Sequence, residues 1–232
     1  MDIGCGCGAT TLALAERVGA TGSVLGVDVS GPMLARARER ARGLPNVQFL
    51  QADAQTHRFE PPAADAVFSR FGVMFFADPT AAFANVRRAV RPGAALSFIC
   101  WQEIGKNPWV LVPLGAVARH VQLPPPPAPS EPGPFSFGDA ARVRGILEGA
   151  GWTRVQLDSW EPQLSLGGNG SLDDAVRFAM EVGPTSRLLA DVADDVKSRA
   201  RESVREALAP LFGPEGVRLP GSCWLITARN GR

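Results

Sequence analysis

Glycine stands at every second position between Gly4 and Gly8 of this chain, shortly before the apolar run Leu12-Ala13-Leu14-Ala15. Because glycine has no Cβ, such a segment can turn sharply and let its backbone approach a ligand closely. Residues 10–18 then predict a helix whose N-terminus faces that ligand, and residues 24–29 predict a buried strand that carries Asp28 near its end. In doubly wound folds, a carboxylate at about this spacing binds ribose hydroxyls. The opening of the chain therefore predicts a nucleoside-binding turn.

Strand and helix patterns continue to alternate along the chain. Helices are predicted to begin at Ser30, at Asp78 and at Asp139, and Asn107-Pro108 predicts the cap of another helix that runs to about residue 121. Further strands are predicted at residues 47–50, 65–69, 95–101, 152–160 and 223–228. This order predicts an α/β fold with a Rossmann-like, doubly wound and mostly parallel sheet, whose strands are joined by right-handed crossovers.

The helix that begins at Asp78 shows one apolar face. Phe83, Val86 and Val90 are expected to share that face, and Arg91-Pro92-Gly93 is expected to end the helix before the next strand.

The second half of the chain predicts a proline-rich loop and a helical insertion. Four consecutive prolines lie within residues 122–137, which is typical of a semi-rigid, extended spacer. Residues 172–212 predict helices interrupted near Gly183-Pro184, which form a lid or a dimerisation surface. Their apolar residues recur at helical spacing: Leu189, Val192, Val196, Ala200, Val204 and Leu208. We predict one domain over residues 1–232, with a cofactor-binding core (1–121), the proline-rich loop (122–137), a helix and a strand (138–160), the helical lid insertion (161–213) and the last strand (214–232).

Charge and hydropathy exclude several classes of partner. The 24 basic and 23 acidic residues give a net charge of +1, so electrostatics does not favour nucleic acid or an anionic membrane as the main partner. No apolar run has the length of a membrane span and no signal peptide is evident, which predicts a cytoplasmic protein. The four cysteines, Cys5, Cys7, Cys100 and Cys223, do not follow the spacing of metal ligands, so we expect no metal site.

The glycine-rich segment alone leaves the cofactor open. Gly4-x-Gly6-x-x-Ala9 also fits the dinucleotide fingerprint, so an NAD-dependent oxidoreductase has to be considered. The combination of Asp2-x-Gly4-x-Gly6-x-Gly8, Val27-Asp28, Asp53-Ala54 and Arg91-Pro92-Gly93 resembles the class I S-adenosylmethionine-dependent methyltransferases. Over nearly the whole chain, the pattern is most similar to the small-molecule members of that family, including the quinone-biosynthesis methyltransferases.

The resemblance implies S-adenosyl-L-methionine as the cofactor and a small organic acceptor as the substrate. Within this implied site, the glycines would shape the pocket for the methionine and ribose portions, Asp28 would accept from the ribose hydroxyls, and Asp53 with Ala54 would meet the adenine. The implied cofactor-binding residues are Asp2, Gly4, Gly6, Gly8, Asp28, Val29, Met33, Asp53, Ala54 and Ser69.

The acceptor side of the implied site is described by a second set of residues. Arg70, Phe71, Phe75, Trp101 and Trp109 are candidates for the substrate wall, although core packing explains Phe75 equally well. A sulfonium methyl is already activated, so positioning and exclusion of water can supply most of the catalysis. If the acceptor has to lose a proton, His57 and Arg70 are the candidates for a catalytic role.

Absent residues narrow the choice of reaction. The chain has no tyrosine, which removes the Tyr-Lys pair of short-chain dehydrogenases and weakens the nicotinamide alternative. Ser69-Arg70-Phe71-Gly72 stands where amino-methylating enzymes carry an Asn/Asp-Pro-Pro-aromatic segment, and no Pro-Cys dipeptide occurs. A small-molecule methyltransferase is therefore the main interpretation, and a noncatalytic or degenerate S-adenosylmethionine-binding protein is the alternative.

The position of Met1 is unusual for the family. In the relatives, the acidic residue at Asp2 ends a buried central strand, whereas here only Met1 precedes it. We expect either that the sequence lacks an N-terminal segment with most of the first strand, or that this member differs at its N-terminus. The association state is left open, with a homodimer as one possibility.

Overall fold

The computed structural model describes residues 1–60, 64–128, 131–168 and 170–231. Positions 129 and 130 of the predicted proline-rich loop, position 169 of the predicted insertion and position 232 at the end of the last predicted segment lie outside the described residues. The described residues form two compact units, one from residues 1–60, 64–101, 131–159 and 224–231 and the other from residues 102–128, 160–168 and 170–223.

Strands and helices alternate through most of the first hundred residues, although the described residues between β3 and β4 contain no helix. The elements are β1 (Asp2–Ile3), α1 (Ala9–Val18), β2 (Val24–Asp28), α2 (Gly31–Arg40), β3 (Val47–Gln51), β4 (Ala64–Arg70), a 3₁₀ helix (Val73–Phe75), α3 (Pro79–Arg88) and β5 (Val90–Trp101).

The remaining residues add further helices and strands to both units. They are a 3₁₀ helix (Ile104–Lys106), α4 (Pro108–Val117), α5 (Ala140–Gly149), β6 (Trp152–Trp160), β7 (Gln163–Leu166), α6 (Leu172–Glu181), α7 (Pro184–Leu189), α8 (Asp194–Leu208), a 3₁₀ helix (Ala209–Leu211), β8 (Phe212–Gly213), β9 (Gly216–Pro220) and β10 (Cys223–Asn230). None of the helices in the described part of the chain is both long enough and apolar enough to cross a membrane.

The larger sheet has seven strands in the order β3-β2-β1-β4-β5-β10-β6. The pairs β1–β2, β2–β3, β1–β4 and β4–β5 are parallel, which confirms the predicted Rossmann-like, mostly parallel sheet. Strand β1 is only two residues long, yet Asp2 pairs with Gly26 on one side and with Phe68 on the other. The carboxyl end of β1 therefore lies in the middle of the sheet, where strand order reverses and ligands bind in such folds.

Each unit has its own hydrophobic core. In the first unit, the helices α3 and α5 contribute Phe83 and Leu147 to a cluster with Phe98 of β5 and Trp152 of β6. In the second unit, the helices α6 and α8 contribute Val176 and Val204, which pack with Leu166 of β7 and Val217 of β9. Burial of such side chains is the main favourable contribution to folding in each unit.

Helix caps account for several of the helix starts. The side chains of Ser30, Asp78 and Asp139 accept hydrogen bonds from the backbone N–H of Met33, Ala81 and Arg142, respectively, and these caps satisfy amide groups that the first helical turn leaves unpaired.

Three helical predictions are wrong in detail. Val90 lies in β5 and not on the face of α3, because α3 ends at Arg88 and the backbone re-enters the sheet directly, with a register irregularity between Ala64 and Ala66 of β4. Helix α4 ends at Val117, short of residue 121. The apolar repeat from Leu189 to Leu208 is divided between α7 and α8, since residues 190–193 separate the two helices.

The segment predicted to be helical also contains strands. β7, β9 and β8 form a three-stranded antiparallel sheet in which Leu166 pairs with Val217 and Phe212 pairs with the same residue from the other side. Phe212, predicted at the end of a helix, therefore begins β8. Strands of two to five residues give too short a pattern to be separated from flanking helices.

Asn107 precedes α4, but its side chain does not cap the helix as predicted. Its Oδ1 accepts from the backbone N–H of Ser222 at 2.9 Å and from Trp109 Nε1 at 3.1 Å. Its Nδ2 donates to the carbonyl groups of Gln102 and Glu103, at 3.4 and 3.0 Å. This buried amide thus uses both of its donors and both acceptor positions to join two distant chain segments of the second unit.

Replacing Asn107 by alanine should lower the free energy of unfolding by about 2–3 kcal/mol, because buried polar partners would lose their hydrogen bonds. Urea unfolding followed by circular dichroism measures this loss. Gln122→Ala, which removes an exposed amide from the same unit, serves as the control and should change stability by no more than about 0.5 kcal/mol. Equal stability of the two variants would contradict the role of Asn107.

Candidate cofactor site

The glycine-rich turn between β1 and α1 is held against β2. The backbone N–H groups of Gly4 and Cys5 both donate to the carbonyl of Val27, at 2.8 and 3.1 Å. Gly4, Gly6 and Gly8 adopt left-handed conformations, with φ of 69°, 54° and 78°. A Cβ at Gly4 would lie 2.6 Å from Gly72 Cα, so this turn and the segment after β4 touch backbone to backbone. Only glycine fits such an approach.

Asp28, at the end of β2, bridges two backbone amides. Its Oδ2 accepts from the N–H of Gly6 at 2.8 Å, and its Oδ1 accepts from the N–H of Ser30 at 2.9 Å. Each carboxylate oxygen can accept more than one hydrogen bond, so both oxygens retain capacity for a hydroxyl of a ligand. Asp28 therefore shapes the glycine turn and remains able to bind a diol.

Apolar side chains are exposed next to this carboxylate. Val29 is 65% exposed and Met33 is 43% exposed, although both are large hydrophobic residues. A Cβ at Gly6 would lie 2.9 Å from Met33 Cε, which shows that the glycine turn and the first turn of α2 are adjacent. Exposed apolar side chains beside polar groups are typical of a ligand-binding surface.

Asp53, after β3, forms a second polar turn. Its Oδ1 accepts from the backbone N–H of Gln55 at 2.9 Å, and the Gln55 amide nitrogen also contacts both carboxylate oxygens. The side-chain oxygen of Gln55, Oε1, accepts from the backbone N–H of Ala77 at 2.6 Å. Asn85 of α3 donates to the carbonyl groups of Ala54 and His57, at 3.0 and 2.8 Å. The turn of residues 53–57 is thus fixed to the start and middle of α3.

Asp2 is the buried carboxyl group of this edge, with only 1% of its surface exposed. Thr11 Oγ1 donates to its Oδ2 at 2.7 Å, and Oδ1 has no hydrogen-bond partner among the described residues. Burial raises the pKa of Asp2 to about 6, while the hydrogen bond from Thr11 opposes this shift.

The raised pKa of Asp2 predicts a loss of stability as the pH rises from about 4 to about 6. In that window the folded protein keeps a proton that the unfolded chain has released, so deprotonation favours unfolding. From an ordinary value of 3.8 to about 6 in the folded state, the shift corresponds to roughly 2–3 kcal/mol. Asp2→Asn should remove this part of the pH dependence in urea unfolding measured at pH 4 and pH 7. The exposed Asp191→Asn is the control, and a variant of Asp2 that keeps the full slope would contradict the prediction.

The candidates after β4 lie at the same sheet edge. Ser69 is fully buried and its hydroxyl has no hydrogen-bond partner. Arg70 Nε donates to Thr10 Oγ1, in the first turn of α1, at 3.0 Å. Phe71 stacks on Trp101, at the end of β5, with a centroid distance of 4.4 Å. Phe75 is 46% exposed, so packing in the core leaves nearly half of its surface uncovered.

The two remaining candidates have different surroundings. The ring of His57 contacts Phe59 edge to face, with centroids 4.8 Å apart. Trp109 lies in the second unit, where its indole donates to Asn107. Their proposed roles stay predictions. In the described part of the chain, no group of three or more His, Cys, Asp or Glu side chains is arranged to hold a metal ion.

Three polar residues of this edge were not predicted. Thr10 accepts from Arg70, Thr11 donates to Asp2, and Gln55 connects Asp53 with Ala77. The threonines sit in the first helical turn after the glycine segment, where their side chains are near the ends of β1 and β4. That position was a usable signal, whereas nothing in the local sequence marks the contact between Gln55 and Ala77.

Comparison with known proteins agrees with this geometry. The sequence profile described as "Methyltransferase domain" matches residues 1–93. Residues 1–93 are therefore similar to a methyltransferase domain. They include β1 to β4 and the turns that carry Asp28 and Asp53.

Curated relatives match the same part of the chain. Aklanonic acid methyltransferase DauC of Streptomyces sp. (strain C5) is 36% identical over 100 residues, which cover 42% of this chain and 46% of DauC. Demethylmenaquinone methyltransferase of Staphylococcus aureus (strain MRSA252) is 36% identical over 93 residues, which cover 40% of this chain and 39% of that enzyme. The chain thus matches less than half the length of these relatives.

Solved structures extend the likeness of fold to the whole chain. The YcgJ protein from Bacillus subtilis superimposes with a TM-score of 0.64 at 16% identity, covering 100% of this chain and 91% of that one. Phosphoethanolamine N-methyltransferase 2 of Haemonchus contortus, in complex with S-adenosyl-L-methionine, gives a TM-score of 0.57 at 18% identity, covering 100% of this chain and 48% of that one. At these identities the likeness establishes the fold.

Proposed function

We propose that this protein is an S-adenosylmethionine-dependent methyltransferase that acts on a small organic acceptor. The observation that carries the proposal is the Asp28 carboxylate, which closes the glycine turn through Gly6 and still has capacity to accept from ribose hydroxyls. The matching methyltransferase domain and the names of the curated relatives support the same reaction class.

The chemical character of the edge fits this cofactor. We expect the methionine and ribose portions to lie against the glycine turn, whose backbone approaches Gly72 and Met33 so closely that a Cβ at Gly4 or Gly6 would collide with them. Val29 and Met33 offer exposed apolar surface for a purine, next to the turn that contains Asp53 and Ala54. S-adenosylmethionine supplies a methyl group activated by a sulfonium centre. The residues of the chain then have to hold and orient the reactants and exclude water, and no strong acid or base is required.

Calorimetric titration with S-adenosylhomocysteine and, separately, with NAD tests the proposal. We expect S-adenosylhomocysteine to bind with a dissociation constant in the micromolar range or below and NAD to bind at least 100-fold more weakly. Preferential binding of NAD would favour the oxidoreductase alternative that the fingerprint Gly4-x-Gly6-x-x-Ala9 leaves open. Absence of binding by the folded protein to either ligand would contradict the proposed function.

Binding does not distinguish an enzyme from a noncatalytic binding protein. Transfer of labelled methyl from S-adenosylmethionine to a panel of phenols, enols, amines, thiols and carboxylates makes that distinction. We expect turnover with at least one class of acceptor, and binding without any turnover would favour the noncatalytic alternative.

A further inference from the structure

An aromatic pair stands at the carboxyl ends of β4 and β5. The rings of Phe71 and Trp101 are stacked with an interplanar angle of 14°, and both side chains are partly exposed. The backbone N–H of Phe71 donates to the carbonyl of Ile99 at 3.0 Å, so the pair is fixed to the sheet itself. Stacked rings of this kind present a rigid apolar surface with little conformational freedom to lose on binding.

The backbone of Phe71 is in the left-handed region, with φ of 60°. For an aromatic residue this conformation costs on the order of 1–2 kcal/mol. It lets the chain turn directly after β4, so that Gly72 meets Gly4 while the ring of Phe71 lies on Trp101. A glycine at position 71 would turn at lower cost, and the presence of phenylalanine therefore indicates a use for its ring.

Arg70 directly precedes Phe71 and has guanidinium N–H groups that are available to a ligand. Its Nε donates to Thr10 Oγ1 at 3.0 Å, and the four N–H groups of its two terminal nitrogens make no hydrogen bond to the described residues. The arginine is exposed, and its charge acts on the buried Asp2 without forming an ion pair with it. A guanidinium fixed through Nε keeps a planar pair of donors that matches a carboxylate or another planar anion.

We infer that the acceptor of the proposed reaction is a planar aromatic molecule with an anionic group. The aromatic part packs against the exposed surface of Phe71 and Trp101, and the anion binds the terminal nitrogens of Arg70. This inference rests on the proposed function and specifies its substrate class. Charge favours it as well, because a cationic sulfonium and Arg70 at one sheet edge both attract an anion.

Three probes separate shape from charge. 2-Naphthoate is planar and anionic, 2-naphthamide is planar and neutral, and cyclohexanecarboxylate is anionic but not planar. Each is titrated calorimetrically into the protein saturated with S-adenosylhomocysteine, whose own binding is measured first. We expect 2-naphthoate to bind at least 10-fold more tightly than either of the other two.

Variants assign the two contributions to residues. Arg70→Gln should weaken 2-naphthoate at least 10-fold and leave 2-naphthamide and S-adenosylhomocysteine unchanged, while Arg70→Lys should give a smaller loss. Phe71→Leu and Trp101→Leu should weaken both naphthyl probes, with little effect on cyclohexanecarboxylate. Arg17→Gln, at the other end of α1, is the matched control. Thermal unfolding verifies that each variant is folded.

A spectroscopic readout locates the probe. With ¹⁵N-labelled tryptophan, the indole N–H signal that disappears in Trp101→Leu should be the one that shifts most as 2-naphthoate is added. Equal binding of all three probes, or a different indole signal shifting, would overturn the inference while the proposed function stands. If Arg70→Gln weakened S-adenosylhomocysteine as much as 2-naphthoate, the arginine would belong to the cofactor site and the inference would fail. Failure of the wild-type protein to bind S-adenosylhomocysteine would contradict both the proposed function and the inference about the acceptor.

Discussion

Replacing Asp28 by alanine should weaken the binding of S-adenosylhomocysteine about 100-fold, or roughly 3 kcal/mol. The substitution removes the proposed acceptor of the ribose hydroxyls and also leaves the N–H groups of Gly6 and Ser30 without their partner. The glycine turn would lose its connection to β2 on the ligand side. Calorimetric titration measures the affinity, and circular dichroism verifies the fold.

Two further variants define what the carboxylate contributes. Asp28→Asn keeps the shape of the side chain but turns a donor toward one of the two backbone N–H groups, so its affinity should lie between those of the wild type and the alanine variant. Glu16→Ala removes an exposed carboxylate from α1 and should leave the affinity within about twofold. If Asp28→Ala bound the ligand as tightly as Glu16→Ala, the proposed ribose contact would be wrong.

Gly4→Ala should lower the free energy of unfolding by about 3–5 kcal/mol and abolish detectable cofactor binding. The added Cβ would meet the Cα of Gly72 at 2.6 Å. Neither the backbone that carries this Cβ nor that of Gly72 can move aside without shifting a strand end. The left-handed φ of 69° adds a further penalty for any residue with a Cβ.

Gly43→Ala provides a control for this variant. Gly43 also has a positive φ, 84°, but no described atom lies within 4 Å of the position that a Cβ would take. This variant should therefore lose only the conformational contribution to stability, about 1–2 kcal/mol. The difference between the two variants measures the contribution of the close approach, and equal losses would show that this approach does not constrain the fold.

The sequence predicted well those features in which each residue type meets a specific requirement for backbone conformation or hydrogen bonding. Spacing between Gly4 and Asp28 was sufficient to place the turn, the strand and the carboxylate, because each residue type there has a specific backbone or hydrogen-bonding requirement. The cap at Ser30 was equally visible, since its partner Met33 lies only three residues away.

Features that depend on distant partners were not predictable in the same way. Arg70 and Thr10 are sixty residues apart in sequence and meet only because β1 and β4 are neighbours in the sheet. The left-handed Phe71 breaks the usual preference of aromatic residues, which no pattern indicates. Asn107 is of a residue type that commonly caps helices, but its side-chain oxygen accepts hydrogen bonds from Ser222 and Trp109 instead.

The order of strands in the larger sheet has a consequence for biosynthesis. β10 leaves the ribosome after both β5 and β6, yet it lies between them in the sheet. Until it is synthesised, β5 has an unpaired edge, and β6 has no neighbour through which to join the sheet. Assembly therefore requires contacts between residues far apart in sequence, which slows folding and exposes a strand edge to pairing with other chains. We expect nascent chains that stop before Cys223 to depend on chaperones, even though most of the ligand-binding edge has by then been made.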